Sequence, residues 1–355
     1  MADTLHYREV VRQYEALAPA EGGDALAEVL GDLGMMRYGQ GRYADALATF
    51  QRVARVASGP EGDARRRSAL AMEGDCLRGL GRRREAWAVH AKALRLFEKA
   101  GDRLRAATVV ATLGDVLRER HAYRRAERFC RRAVAMLEEV DAEAAGIRLP
   151  RALDALGQVL MARKRYPAAE EVFRRVARLR ADAPPYETAY LLDNLGRAQD
   201  ARGKHAEAER SFDRAAALYG ELADAGVEDA ADARARALFS LGRVRNAVGK
   251  QEQAKQALLR ALAHWEARGA SAAGAATEVH LELGHAYHAL GRYDDAGRSL
   301  EAAIAGYAAD GARRAPVVAR LQSLLGDAAR SRGRYHDAER LLRSALAGFG
   351  ALPRR

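Results

Sequence analysis

One register of small residues recurs eight times along this 355-residue chain and constrains its fold more than any other feature. Each copy carries a glycine inside an apolar-periodic stretch, at Gly34, Gly74, Gly114, Gly157, Gly196, Gly242, Gly284 and Gly326. Seven residues later stands a second glycine, replaced by His121 and Lys164 in the third and fourth copies. Alanine follows the first glycine by twelve residues in every copy, from Ala46 to Ala338. Four residues further comes Phe50, His90, Cys130, Phe173, Phe212, Leu258, Leu300 or Leu342, and three beyond that an Ala or Val. A spacing of 39 to 46 residues kept through eight copies marks a tandem array in which each unit needs its neighbours to bury a core.

Residues around the first glycine recur at three- and four-residue intervals, as in Leu191, Leu192, Leu195 and Ala198, which is the spacing of one helix face. This stretch is a first helix, A, and the second glycine ends it at a position that tolerates positive φ. The alanines and bulky residues beyond repeat with the same spacing and form a second helix, B. Small residues where A and B cross allow close approach, and the bulky residue at +16 fills the adjoining layer. The tyrosine of Gly-Arg-Tyr at 41–43, 291–293 and 333–335 is expected to wedge between the paired helices. Pro167 suits the first turn of a helix B, where its missing N–H costs nothing. The second and sixth copies lack the turn tyrosine and a phenylalanine at +16, so they are expected to be the loosest. Gly59-Pro60, Gly146–Pro150, Pro184-Pro185, Gly220–Asp232 and Gly269–Gly274 mark loops between copies.

These signals place repeats at about 24–59, 64–100, 104–141, 147–182, 186–223, 232–268, 274–309 and 316–350, within one solenoid over 24–355. The array is expected to unfold as one cooperative unit. Residues 4–18 put Tyr7, Val10, Val11, Tyr14 and Leu17 on one face, predicting an N-terminal capping helix within 1–23. The last helix B is expected to end near Phe349, with an outer face including Leu341 or Phe349 open to a second copy or another partner.

Composition agrees with helices: aromatics are 6%, prolines number 8, and Ala, Leu, Arg and Glu are abundant. Cys76 and Cys130 are too few for a disulfide framework and too distant for a zinc motif, and both are expected to be buried. No apolar h-region opens the chain and no apolar run reaches about 18 residues, so the protein is read as cytoplasmic. The net charge of +11 is unevenly placed. Residues 51–180 hold 30 Lys+Arg against 17 Asp+Glu, whereas the remainder holds 29 against 31. A basic first half suits an acidic partner surface. Signatures of catalysis are missing: no phosphate-binding loop, no Cys-x-x-Cys, no His-Glu-x-x-His and no nucleophile elbow. The formal dinucleotide fingerprint at Gly39–Ala44 lies between helices instead of after a strand. His280, His285 and His288 share a helix, and Glu282, His285 and His288 form a row spaced by threes, but each such step turns about 60°, so the three converge poorly on a metal. Neither a metal nor a cofactor is expected, and the chain is read as a non-enzyme.

The pattern Leu-Gly, Gly-x-Tyr, Ala, Phe, Ala, most of it present in LDNLGRAQDARGKHAEAERSFDRAA (192–216), resembles the tetratricopeptide repeat family over residues 24–350. The long spacing resembles the kinesin-light-chain-like subclass. The family's large aromatic early in helix A is missing. The resemblance implies an all-α, right-handed superhelical solenoid of eight helix-turn-helix units with an N-terminal capping helix. It also implies a concave ligand groove built from helix A, with helix B outside. Residues at three and six before the first glycine, and one and four after it, then line the groove. They include Tyr38, Arg78, Asp115, Arg118, Arg151, Gln158, Tyr190, Asp193, Arg197, Arg236, Arg243, Asn246, His285 and His288, with Asn194 beside them to bond a peptide backbone. The Lys and Asn positions by which one subtype grips C-terminal carboxylates hold Gly31, Met35 and Ala71 here. The function implied is a protein-interaction scaffold that binds a segment of acidic character in the groove. Two alternatives are a peptide-gated regulator, as in similar bacterial arrays, and a nucleic-acid-associated protein using the basic region 51–180.

Overall fold

A computed structural model describes residues 23–309 and 314–350. The segment 4–18, expected to form the capping helix, lies outside the described residues. The chain divides into two compact units, Met1–Val172 and Phe173–Arg355. The first contains α1 (Gly23–Gly39), α2 (Tyr43–Val56), α3 (Gly59–Gly79), α4 (Arg83–Lys99), α5 (Arg103–Glu119), α6 (Tyr123–Glu138), the single turn α7 (Ala142–Ala145) and α8 (Arg148–Ala162). The division falls within α9 (Tyr166–Leu179). The second contains α10 (Pro185–Ala201), α11 (His205–Asp224), α12 (Ala230–Ala247), α13 (Gln251–Ala267), α14 (Ala273–Ala289), α15 (Tyr293–Ala309), α16 (Ala315–Ser331) and α17 (Tyr335–Gly350). No strand occurs among the described residues. Helices α1, α3, α5, α8, α10, α12, α14 and α16 carry the first glycine and are the A helices.

Every A–B turn closes as the register predicts. At Gly41 φ is 72°, the Gly41 amide donates to Tyr38 and the Arg42 amide to Arg37, both at 2.9 Å. This is the Schellman arrangement, which needs a left-handed residue. His121 and Lys164 adopt it without glycine's freedom, at φ 58° and 57°, with the same pair of amide bonds. Where A and B cross, a Cβ at Gly242 would lie 2.5 Å from Leu258 Cγ, one at Gly114 2.6 Å from Cys130 Sγ, and one at Gly74 2.6 Å from the His90 ring. The first glycine is thus the seat of the +16 side chain.

Three expectations are corrected. The turn tyrosine does not wedge between its own paired helices. Tyr43 packs edge-on to Tyr38 at the end of α1 and lies over Gly79 of α3, while Tyr335 is 70% exposed. As the first residue of helix B, its Cβ tilts back toward the turn, away from the crossing. The second and sixth copies are not loosely packed at +16: His90 and Leu258 are 1% and 0% exposed, as buried as Phe50 and Phe212. The glycine-rich loops are largely helical. Gly59-Pro60 opens α3, where proline's missing N–H has no partner to lose. Gly220 lies buried inside α11 with the Arg234 guanidinium packed beside it, and Gly269–Ala272 form a 3-10 turn leading into α14. Burial outweighs the ~1 kcal/mol that glycine costs a helix.

The first unit buries Leu26, Leu30, Leu33, Phe50, Cys76 and Leu77 in one cluster. The second packs Phe212, Leu241, Leu258, Trp265 and Leu283 together, with a further cluster around Leu300, Tyr307, Leu321 and Leu325. Leu341 joins that last cluster, whereas Leu346 and Phe349 are exposed. Both cysteines are fully buried, and burial pushes each thiol up to about 12.

Candidate functional site

In each unit the A helices present a polar row, and the two rows differ in what they leave unpaired. In the second unit, α10 supplies Tyr186, Tyr190, Asp193 and Arg197, and α12 supplies Arg236. Burial holds the Asp193 carboxyl above its ordinary value, against the opposing charges of Arg197 and Arg236. Tyr219, from the last turns of α11, is 4% exposed and meets Tyr186 edge-on at 5.5 Å. Burial raises its hydroxyl, Asp193, Tyr186 and Tyr190 add to the shift, and Arg236 opposes it. These groups therefore sense one another as a single cluster. Arg197 and Arg236 are exposed, and among the described residues neither has an ion-pair partner within 4.0 Å.

Beyond this cluster the row of the second unit is internally committed. Arg243 lies 2.7 Å from Asp200, which also takes His205 at 3.1 Å. Asn246 donates to the Glu282 carbonyl at 2.9 Å and to its carboxylate at 3.0 Å. Burial alone would raise the Glu282 carboxyl, but nearby His285, the hydrogen bond from Asn246 and the charge of Arg243 leave it below its ordinary value. His285 is exposed, 3.9 Å from Glu282. His288 packs edge-on to Tyr293 at 5.5 Å, and its buried Nε2 has no hydrogen-bond partner among the described residues. Asn194 faces inward, 2% exposed and engaged within the protein. It stands one residue from Asp193, a step of about 100° that rotates it off the groove face.

The first unit's row is paired along most of its length. Arg78 reaches Asp115 at 3.9 Å and Glu119 at 3.7 Å, and Arg118 donates to Asp115 at 3.2 Å. Burial raises the Tyr38 hydroxyl, with Asp75 adding and Arg78 opposing. Gln158 is half-buried and engaged, and Arg151 is exposed. Burial lifts Asp75 to about 6 against the pull of Arg78 and Arg151, with Asp115 adding. Beneath it His90 is held down at about 4 by burial and by Arg78. Its Nε2 lies 3.5 Å from Asp75 Oδ1 but makes no aligned hydrogen bond.

Sequence spacing thus finds Arg197, Arg236, Asp193 and Tyr190. It also puts Asp200 on this face, four residues after Gly196, without showing that it takes Arg243, and it misses Tyr219, which arrives from a B helix, and Glu119, which takes Arg78. For Glu119 the only signal is its place on the A helix next to that of Arg78; for Tyr219 spacing offers none. Among the described residues no group of three His, Cys, Asp or Glu could hold a metal ion, and no helix is long and apolar enough to cross a membrane.

Stacked helix pairs closed by left-handed turns, with a glycine seating each +16 side chain, define an α-helical repeat protein. Tetratricopeptide repeat profiles match residues 148–221 and 275–350, and another matches 26–52. The chain belongs to the tetratricopeptide repeat family. No curated protein sequence matches it. Among solved structures it is similar in fold to the apo form of RapI, at 13% identity and TM-score 0.58, over 80% of this chain and 97% of that one. Aspartyl phosphate phosphatase F from Bacillus subtilis is similar at 14% identity and TM-score 0.56, over 96% and 87%. BtubC (BKLC) from P. vanneervenii is similar at 18% identity and TM-score 0.52, over 66% and 96%.

Proposed function

We propose that the protein is an interaction scaffold that binds an acidic segment of a partner protein on the helix-A face of its second unit. The observation that carries this reading is the pair Arg197 and Arg236, exposed and, among the described residues, without an ion-pair partner, beside the tyrosine-lined Asp193. A planar guanidinium offers a fork that matches a carboxylate, and two of them on a face that also carries tyrosines suit a short acidic motif with an apolar neighbour. Asp193 repels a ligand carboxylate, so the acidic group is expected over the outer edges of the two guanidiniums. Arg243 is expected to contribute little, because Asp200 already occupies it.

Peptide-display selection on the immobilised full chain tests this. The selected peptides should be rich in Asp and Glu. Arg197→Gln with Arg236→Gln should weaken them by at least about ten-fold, and Arg243→Gln by less than about two-fold. Selection without acidic preference, or affinity indifferent to the double variant, would show the reading to be wrong.

A further inference from the structure

The outward rows of two B helices in the first unit form a surface that the helix-A face does not use. On α4 the buried stripe is Ala86, His90, Ala93 and Phe97, and opposite it stand Arg84, Lys92, Arg95 and Lys99, all exposed. On α6 the buried stripe is Ala126, Cys130, Ala133 and Leu137, and opposite it stand Arg124, Arg125, Arg128 and Arg132, again exposed. The two rows belong to one surface: Arg132 donates to Glu98 across the helices at 2.5 Å, and Trp87 meets Phe129 edge-on at 5.4 Å.

Pairing within the protein consumes the acids and leaves bases over. Glu85 takes Arg82 at 2.6 Å, Glu98 takes Arg132, and the buried Glu127 takes Arg131, Arg163 and Arg165. Glu138 is also engaged. Among the described residues, Arg84, Arg95, Lys99, Arg124 and Arg128 have no ion-pair partner within 4.0 Å. This is not general to B helices here, because the outward row of α11 mixes signs as Arg210, Asp213, Arg214 and Glu221. Five unpaired cations on one face repel one another and are stabilised by an external anion.

We infer that this face docks a carboxylate-rich segment of a partner protein. A nucleic acid fits less well, because single-strand readers stack bases on free aromatic faces. The one tryptophan on this surface is occupied, with the Arg125 guanidinium 5.4 Å over its ring and Phe129 against it. The 17 residues of α4 run about 25 Å, a length that about eight extended residues cover. The inference stands apart from the helix-A reading, since the two sets of arginines share no residue.

The test uses the full chain carrying Arg197→Gln and Arg236→Gln, so that the helix-A face is already disabled. A fluorescent Glu-rich peptide of about twelve residues is titrated by anisotropy, in about 50 mM and about 200 mM salt. Single-stranded RNA and duplex DNA of matched charge serve as competitors. The peptide should bind, weaken as salt rises, and lose at least about ten-fold in affinity when Arg84, Arg95, Arg124 and Arg128 are also changed to Gln. All four positions are exposed, so helicity should be unchanged by circular dichroism. No binding in the starting background, affinity indifferent to the four changes, or tighter displacement by nucleic acid than by unlabelled peptide would each overturn the inference.

Discussion

A methyl group added at Gly242 has nowhere to go but into Leu258, 2.5 Å away. Gly242→Ala is therefore expected to destabilise the protein by about 1–3 kcal/mol, despite alanine's better helix propensity. The opposite sign is expected at the fourth turn. Lys164 holds φ 57° with a side chain that disfavours it, so Lys164→Gly should stabilise by up to about 1 kcal/mol. Urea denaturation of both variants measures the pair, and equal signs would contradict the geometry. Both positions were legible in the sequence because the register that defines them is local: glycine, seven residues, turn. The turn tyrosine's packing is not legible for a related reason. Its spacing gives the residue's place on helix B, but not that the Cβ there tilts back over the end of helix A and, for Tyr43, onto Gly79.

At the scale of the helix, A and B packing puts two titratable groups with opposite shifts in contact. Asp75 on α3 is raised from 3.8 to about 6, and His90 on α4 is lowered from 6.5 to about 4. Folded Asp75 binds more protons than unfolded Asp75, so its contribution falls as pH rises from about 3.8 to about 6. Folded His90 binds fewer, so its contribution is complete above 6.5 and is lost as pH falls toward about 4. The slopes oppose each other across most of one window. Relative to wild type, Asp75→Asn should make the slope of stability against pH more positive in that window, and His90→Leu more negative. Denaturation series at several pH values check this; slopes displaced from wild type in the same direction by both changes would refute the opposition. Sequence spacing could place Asp75 and His90 in register, but not predict their shifts, which come from burial and from Arg78, Arg151 and Asp115. The helix-A face shows the same division. Arg197 and Arg236 could be read from helical spacing, while the partner that occupies Arg243 lies 43 residues away in sequence.

For the whole molecule, the distribution of thiols offers a measurement. Cys76 and Cys130 are both 0% exposed and both belong to the first unit. The folded chain should therefore resist a thiol reagent, and labelling should report opening of the first unit alone. If the array unfolds cooperatively, the labelling transition in urea should coincide with loss of helical circular dichroism. Labelling that precedes most of the helix loss would show the first unit opening by itself. The asymmetry extends past the thiols. All six methionines also precede Val172, so the second unit contains no sulfur. Oxidative ageing can then enter this protein by its sulfur chemistry from one half only. Each opening of the first unit risks a permanent lesion, whereas the second unit can open and close without recording that it did.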